Sequence, residues 1–284
     1  MNGYKINRVL VPVDLSESSL NALDAAVAIA KKNKASLYVL HVDENNFQTI
    51  EDVGTRYFLN TMNSADVITA LVGAIQHTHT IKPIVLMEEG NVAEMIMKTS
   101  FLQQADLIVI GTHGASGYRD GFIGNNTYNV IKYAGCPVLS VPQKKSLNNL
   151  RKILFPVRPV TGALMPYEIV SHFTNPGTIM EVMGLSYNRV VDTGSSVLGS
   201  IINEISNQLK EDQVTVKPLW NEGPGIAEEI VKYTSTSSPD LVVITSVLDV
   251  TSKPKYIGPH TQKIIHCSKA PVLTIKKMVV PAAV

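Results

Sequence analysis

The segment RVLVPVD at residues 8–14 has a diverged second copy in this chain, and this repetition decides how the rest is interpreted. A second version, KILFPVR, lies at residues 152–158. Two further landmarks recur 134 residues apart in the same order, namely DLIVI at 106–110 with DLVVI at 240–244, and CPVL at 136–139 with APVL at 270–273. Three landmarks in a shared order indicate a duplicated structural unit.

A duplication within 284 residues predicts two domains, at residues 1–143 and 150–284, joined by a polar linker at 144–149. In both units, short continuous apolar runs alternate with longer segments of helical spacing, as in a parallel sheet covered on both faces. The predicted strands are 9–13, 36–42, 82–87, 107–110 and 138–141, then 153–157, 178–185, 214–219, 241–244 and 272–275. The predicted helices of the first unit are 17–32, 64–77, 92–103 and 127–133, with Ser16 as the first N-cap.

This alternation predicts an α/β fold made of two tandem, doubly wound parallel sheets of five strands each, Rossmann-like, for which we take the order 3-2-1-4-5. Ligands of such sheets bind beyond the carboxyl ends of the strands where the order reverses, here between the first and fourth strands. Asp14 follows the first strand, and five glycines fall between residues 111 and 124 after the fourth.

The glycine-rich stretch ends in Gly124-Asn125-Asn126 and leads into a helix, whose free N–H groups favour phosphate. The carboxylate of Asp14 is suited to accept hydrogen bonds from ribose hydroxyls or from an adenine amine. Together these features predict a mononucleotide site. Two alternatives stay open, because Asp14 is also placed to pair with the start of the first helix and His113 is also a plausible turn residue.

The spacing G-x2-G-x9-G, formed by Gly111, Gly114 and Gly124, resembles the ATP-binding motif of the universal stress protein family. Asn125 stands where that family has serine or threonine. The resemblance extends over both copies and implies the adenine nucleotide alpha hydrolase-like fold. It implies ATP as ligand, with or without Mg²⁺. We expect no metal site of the protein's own, because two cysteines are too few for a cysteine-rich zinc site and His77 and His79 are poorly spaced for one helical metal face. The residues that the resemblance implies for binding are Pro12, Val13, Asp14, Val42, Gly111, Thr112, His113, Gly114, Gly124, Asn125, Asn126 and Thr127.

The second copy departs from the motif. At the offset of 134 residues, Gly111, Gly114 and Asn125 correspond to Thr245, Leu248 and Pro259, while the third glycine is kept as Gly258. Arg158 replaces Asp14. Leucine obstructs close approach of the backbone to phosphate, and proline deletes an N–H donor, so we do not expect the second copy to bind ATP in the family's manner.

The resemblance therefore implies a regulatory stress-response protein that binds an adenine nucleotide in its first domain. Two other functions stay open, a slow ATPase and a ligand-free interaction scaffold. The chain has no G-x4-G-K-[ST] phosphate loop that would favour an enzyme.

Composition limits the partners. The net charge of +1 argues against a nucleic-acid surface, and no window reaches the ~18 apolar residues of a membrane span. We expect a cytoplasmic protein, because the N-terminus has no signal-peptide core. Domains of the family that the chain resembles commonly pair through their last strands. The resemblance therefore implies that 138–141 and 272–275 pair edge to edge within the chain and cover both edges, and a homodimer of whole chains stays open.

Overall fold

A computed structural model describes residues 4–44, 64–79, 81–113, 123–143, 147, 150–157, 167–185, 192–209, 213–221, 225–245 and 257–276. The N-terminal half contains β1 (Arg8–Pro12), α1 (Glu17–Asn33), β2 (Ser36–Asp43), α2 (Ser64–His79), β3 (Ile84–Glu89), α3 (Val92–Leu102), β4 (Leu107–Gly111), α4 (Asn125–Tyr133) and β5 (Val138–Val141). The C-terminal half contains β6 (Lys152–Val157), α5 (Tyr167–Ser171), β7 (Ile179–Leu185), α6 (Asp192–Leu209), β8 (Thr215–Asn221), α7 (Ile226–Ser237), β9 (Leu241–Thr245), α8 (Pro259–Cys267) and β10 (Val272–Ile275).

All ten strands form one sheet, in the order β3-β2-β1-β4-β5-β10-β9-β6-β7-β8. Each half has the predicted order 3-2-1-4-5, and every neighbouring pair is parallel except β5 with β10. The antiparallel pairing of β5 with β10 confirms the predicted contact between the last strands. The two predicted sheets are thus halves of one continuous sheet, and the domain limits at 143 and 150 stay predictions.

Each face of the sheet carries its own apolar layer, which extends through both halves. Helices α1, α2, α5 and α6 cover one face, and α3, α4, α7 and α8 cover the other. The central strands are buried on both faces, as their continuous apolar sequences predict. None of the described helices is both long enough and apolar enough to cross a membrane.

The aspartate before the fourth strand of each half, β4 or β9, has the same role in both halves. Asp106 Oδ2 accepts hydrogen bonds from the backbone N–H of Asn7 at 2.8 Å and of Arg8 at 3.0 Å. Asp240 Oδ2 accepts from Arg151 and Lys152, both at 2.9 Å. A carboxylate that accepts two backbone N–H bonds fixes the start of the central strand, which explains why this residue recurs in the duplicated sequence.

Proline at the end of β1 helps to open a crevice. Asp106 N donates to Arg8 O at 2.9 Å, whereas Val13 N donates to Leu40 O of β2 at 2.8 Å. Because alternate residues of a central strand face alternate neighbours, Pro12 faces β4, as Arg8 does. Proline has no N–H to continue the hydrogen bonds to β4.

The strand pairings agree with this account. β1 pairs with β2 over five residues, but with β4 over only two, Val9 with Leu107 and Leu10 with Ile108. Pro156 repeats the arrangement in β6, which pairs with β9 over two residues. The central strands therefore separate at their carboxyl ends in both halves, where ligands of this fold bind.

Two buried threonines allow a matched test of what a hydrogen bond to a buried hydroxyl contributes to stability. Thr274 Oγ1 in β10 is buried and has no hydrogen-bond partner within the described part of the chain, whereas Thr127 Oγ1 donates to Gly111 O at 2.8 Å. We expect Thr274→Val to stabilise the protein by about 1 kcal/mol and Thr127→Val to destabilise it by a similar amount. Chemical denaturation of both variants measures the two effects, and equal signs would contradict the assignment.

Candidate functional site

A cavity of about 160 Å³ lies at the carboxyl ends of β1 and β4, at the predicted crevice. Ten of the twelve predicted residues line it, namely Pro12, Val13, Asp14, Val42, Gly111, His113, Gly124, Asn125, Asn126 and Thr127. Thr112 is not among its lining residues, and Gly114 lies outside the described residues. Residues 99 to 113 positions apart in the chain, as Asp14 is from His113 and Thr127, therefore meet at one place.

Asp14 lies at the exposed rim, in the turn between β1 and α1. Its Oδ1 accepts hydrogen bonds from Ser16 N at 3.0 Å and from Ser16 Oγ at 2.5 Å. Ser16 is the N-cap of α1, as predicted, and its side chain accepts from Ser19 N. The alternative role of Asp14 at the helix start is thus confirmed, and the same bonds orient its carboxylate at the cavity.

Packing against α1 leaves no room for a side chain at Gly111. A Cβ at this position would lie 2.6 Å from Ser18 Oγ and 2.8 Å from the Ser18 carbonyl carbon, closer than real Cβ atoms approach. The sequence pattern suggested that this glycine admits phosphate, and that role stays a prediction. The structure shows that it also admits the first turn of α1 against the end of β4.

Helix α4 presents its N-terminus to the cavity. It begins at Asn125, two residues before the predicted start, because Gly124 takes the extended N-cap conformation with φ −52° and ψ 137°. Glycine offers no side chain to accept from the N–H groups of the first turn, which have no partner within the helix. Asn125, Asn126 and Thr127 belong to this turn and line the cavity.

Two bonds attach this helix start to β4. Gly124 N donates to Thr112 O at 3.1 Å, and Thr127 Oγ1 donates to Gly111 O at 2.8 Å. A Cβ at Gly124 would lie 3.2 Å from Thr112 O, which is tight but leaves room for a small adjustment. The position of the helix N-terminus is therefore set by the end of β4.

The His113 ring lies at the cavity with its orientation fixed by neighbours. Its Nδ1 is 2.8 Å from Thr112 Oγ1, and its carbonyl accepts a hydrogen bond from Ser18 Oγ. Thr112 itself is buried and acts on the cavity indirectly, through this contact and through its carbonyl bond to Gly124 N. His113 thus lines the cavity, while its carbonyl is bonded to the first turn of α1. Its role toward a phosphate stays a prediction.

Sequence reasoning missed an apolar group that completes the cavity. Leu40 and Ile110 lie one or two positions before residues that were predicted, and a search of whole strand ends would have included them. Val92 and Ile96 come from α3, where their i, i+4 spacing places them on one helix face. The missed lining residues are Ser19, Leu40, Val92, Ile96 and Ile110.

The fold and the crevice define a class of doubly wound α/β proteins whose ligand site follows β1 and β4, and comparisons with known proteins place the chain within that class. The family model described as the universal stress protein family matches residues 5–142. A universal stress protein of Methanocaldococcus jannaschii is 33% identical over 147 residues, which cover 51% of this chain and 85% of that protein. The chain belongs to the universal stress protein family.

A second relative matches about half of this chain in sequence, whereas a solved structure matches nearly all of it in fold. Universal stress protein YxiE of Bacillus subtilis is 28% identical over 145 residues, which cover 48% of this chain and 98% of that protein. The crystal structure of a universal stress protein from Archaeoglobus fulgidus is similar over 97% of this chain and 98% of its own, with a TM-score of 0.69 and 16% identity. The similarity in fold therefore extends through both halves.

Proposed function

We propose that the N-terminal half binds ATP or a related adenine nucleotide in this cavity, and that occupancy regulates a response to stress. The observation that carries the proposal is the start of α4, a helix N-terminus with no side-chain cap among the described residues, which forms one wall of a cavity with an apolar floor. Such a wall offers N–H donors and the positive end of the helix dipole to phosphate.

The charges around the cavity set the orientation of the nucleotide. Asp14 is the only acidic or basic side chain, histidine apart, among the described lining residues. Its negative charge repels phosphates, so the phosphates belong at the start of α4 and the adenosine belongs beside Asp14 and Val42. In this orientation Asp14 accepts from a ribose hydroxyl or from the adenine amine.

The floor of the cavity fits a flat, weakly polar group. Leu40, Ile96 and Ile110 line it and are buried, and Val42 and Val92 pack at its margin. Sites for small molecules combine such apolar surface with a few polar groups that fix orientation. The adenine ring supplies the matching apolar faces.

The C-terminal half differs at the equivalent helix start. α8 has Gly258 as its N-cap, as α4 has Gly124, but its first residue is Pro259, which has no N–H. Thr245 ends β9 where Gly111 ends β4. The substitutions at Leu248 and Arg158 lie outside the described residues. We propose one nucleotide site per chain, in the N-terminal half.

Pro259 of the C-terminal half suggests a substitution that tests whether the start of α4 binds phosphate. Asn125→Pro copies Pro259 and removes one backbone N–H at the first position of α4, where proline is favoured in helices. The extended Gly124, with ψ 137°, suits a following proline. We expect the free energy of unfolding to change by less than about 0.5 kcal/mol. Calorimetric titration with ATP and Mg²⁺ should show about tenfold weaker binding or more, since a bond from N–H to a charged phosphate is lost.

Asn125→Ala is the matched control, because it removes the same side chain and its 3.4 Å contact with Asn129 but keeps the backbone N–H. It should bind ATP more tightly than Asn125→Pro. Wild-type protein with no adenine-nucleotide binding at millimolar concentration would refute the proposal and favour the ligand-free scaffold. Turnover of ATP that Asn125→Pro abolishes would instead favour the slow ATPase.

A further inference from the structure

Lys276, the residue after β10, extends from the C-terminal half to the last turn of α4. Its Nζ donates to Lys132 O at 2.6 Å and to Ala134 O at 3.1 Å. The last carbonyls of a helix have no partner within the helix, and a cation near them is also favoured by the helix dipole. Lys276 thus provides a C-terminal cap for α4 from the other half of the chain.

The antiparallel pairing of β5 with β10 explains how Lys276 reaches this place. Thr274 pairs with Val138, so the carboxyl end of β10 lies at the amino end of β5, close to where α4 ends. The contact is not reciprocal. At the offset of 134 residues, Lys276 corresponds to Pro142, whose side chain has no donor for the carbonyls of α8.

The contact with Lys276 matters for the cavity because both involve the same short helix. Its N-terminus lines the cavity, and its C-terminus is held by Lys276. A helix of nine residues is about 13 Å long and too short to be stable alone, so its position depends on its attachments. Only Thr127, Val130 and Ile131 of its residues are buried.

We infer that Lys276 is a positioning residue for the nucleotide site, an inference that rests on the function proposed above. It holds the C-terminal end of α4, and so keeps Asn125 and Asn126 at the opposite end in place at the cavity. The half that lost the glycine motif therefore supports the site of the half that kept it. The nucleotide site is complete only when β5 and β10 are paired.

Lys276→Met tests the inference, because methionine keeps the apolar stem and removes the ammonium group. We expect ATP to bind about threefold to tenfold more weakly, within the range by which remote positions change binding. Hydrogen exchange of the α4 amides should be faster in the nucleotide-free variant, while the midpoint of global unfolding changes little. Lys276→Arg, which can still donate to both carbonyls, should restore the affinity to within about twofold.

Lys263→Met is the matched control, since Lys263 of α8 forms an exposed ion pair with Glu228 and lies outside the cavity. It should leave both ATP affinity and exchange in α4 unchanged. If wild type binds ATP and Lys276→Met binds it equally well, the inference is overturned and the proposed function stands. Weaker binding without faster exchange in α4 also overturns it. Wild type that does not bind ATP overturns the proposed function and the role of Lys276 in binding, while exchange in α4 still decides whether Lys276 anchors this helix.

Discussion

Replacing Gly111 with valine is expected to destabilise the protein by about 3 kcal/mol, at the upper end of the range for overpacked sites. The new Cβ would lie 2.6 Å from Ser18 Oγ and 2.8 Å from the carbonyl carbon of Ser18. Rotation of the serine side chain cannot relieve the second contact, because that atom belongs to the backbone of α1. The end of β4 and the first turn of α1 must therefore move apart.

The same displacement should weaken ATP binding. Gly111 O accepts the hydrogen bond from Thr127 Oγ1 that fixes the start of α4, and β4 and α1 both contribute residues to the cavity. Chemical denaturation measures the stability, and titration at a temperature where the variant is folded measures the affinity. Gly135→Ala is the control, since a Cβ there would meet no atom within 4 Å. If Gly111→Val were as stable as this control, the packing role of Gly111 would be wrong.

Replacing Thr274 with proline should destabilise the protein by a similar amount, and it tests the pairing of β5 with β10 that connects the halves. Pro271 O accepts a hydrogen bond from Val242 N of β9 at 2.9 Å, so the odd-numbered residues of β10 face β9 and Thr274 faces β5. Proline at 274 removes a donor toward β5 and places its ring inside a sheet, where proline is scarcely found. We expect a loss of about 3 kcal/mol or more.

Separation of the halves is the second expected result. Small-angle scattering should show a larger radius of gyration for Thr274→Pro than for wild type, and proteolysis should cleave between the halves faster. Thr274→Val is the control, because it removes only the buried hydroxyl and is expected to be the more stable protein. A scattering profile identical to that of wild type would show that contacts other than β5 with β10 hold the halves together.

Such contacts exist on the face covered by α1 and α5. His172, which follows α5, lies 2.7 Å from Asn33 Oδ1 through Nδ1 and 2.6 Å from Tyr4 O through Nε2. Tyr4 N also donates to Glu168 Oε2 at 3.0 Å. These bonds join the N-terminal segment and the end of α1 to the C-terminal half, beside the shared apolar layer.

The apolar pattern of the sequence predicted the strands closely, because strands buried on both faces must be apolar throughout. The predicted Val138–Val141 and Val272–Ile275 agree with β5 and β10 at both ends. Duplication predicted the second half, and the resemblance to the universal stress protein family predicted the pairing of the last strands, which covers the edge of each half. The start of α4 was placed two residues late, because a glycine N-cap gives no side-chain signal.

The motif also predicted most of the cavity, including Asp14, His113 and Asn125. Local spacing was enough to predict the fold class, the repeat and the strand ends that carry the site. Three features became visible only in the folded chain: Ser18 makes glycine necessary at 111, α3 contributes Val92 and Ile96 to the cavity, and Lys276 caps α4. Each of these depends on contacts between residues far apart in the chain, whose distances no local pattern encodes.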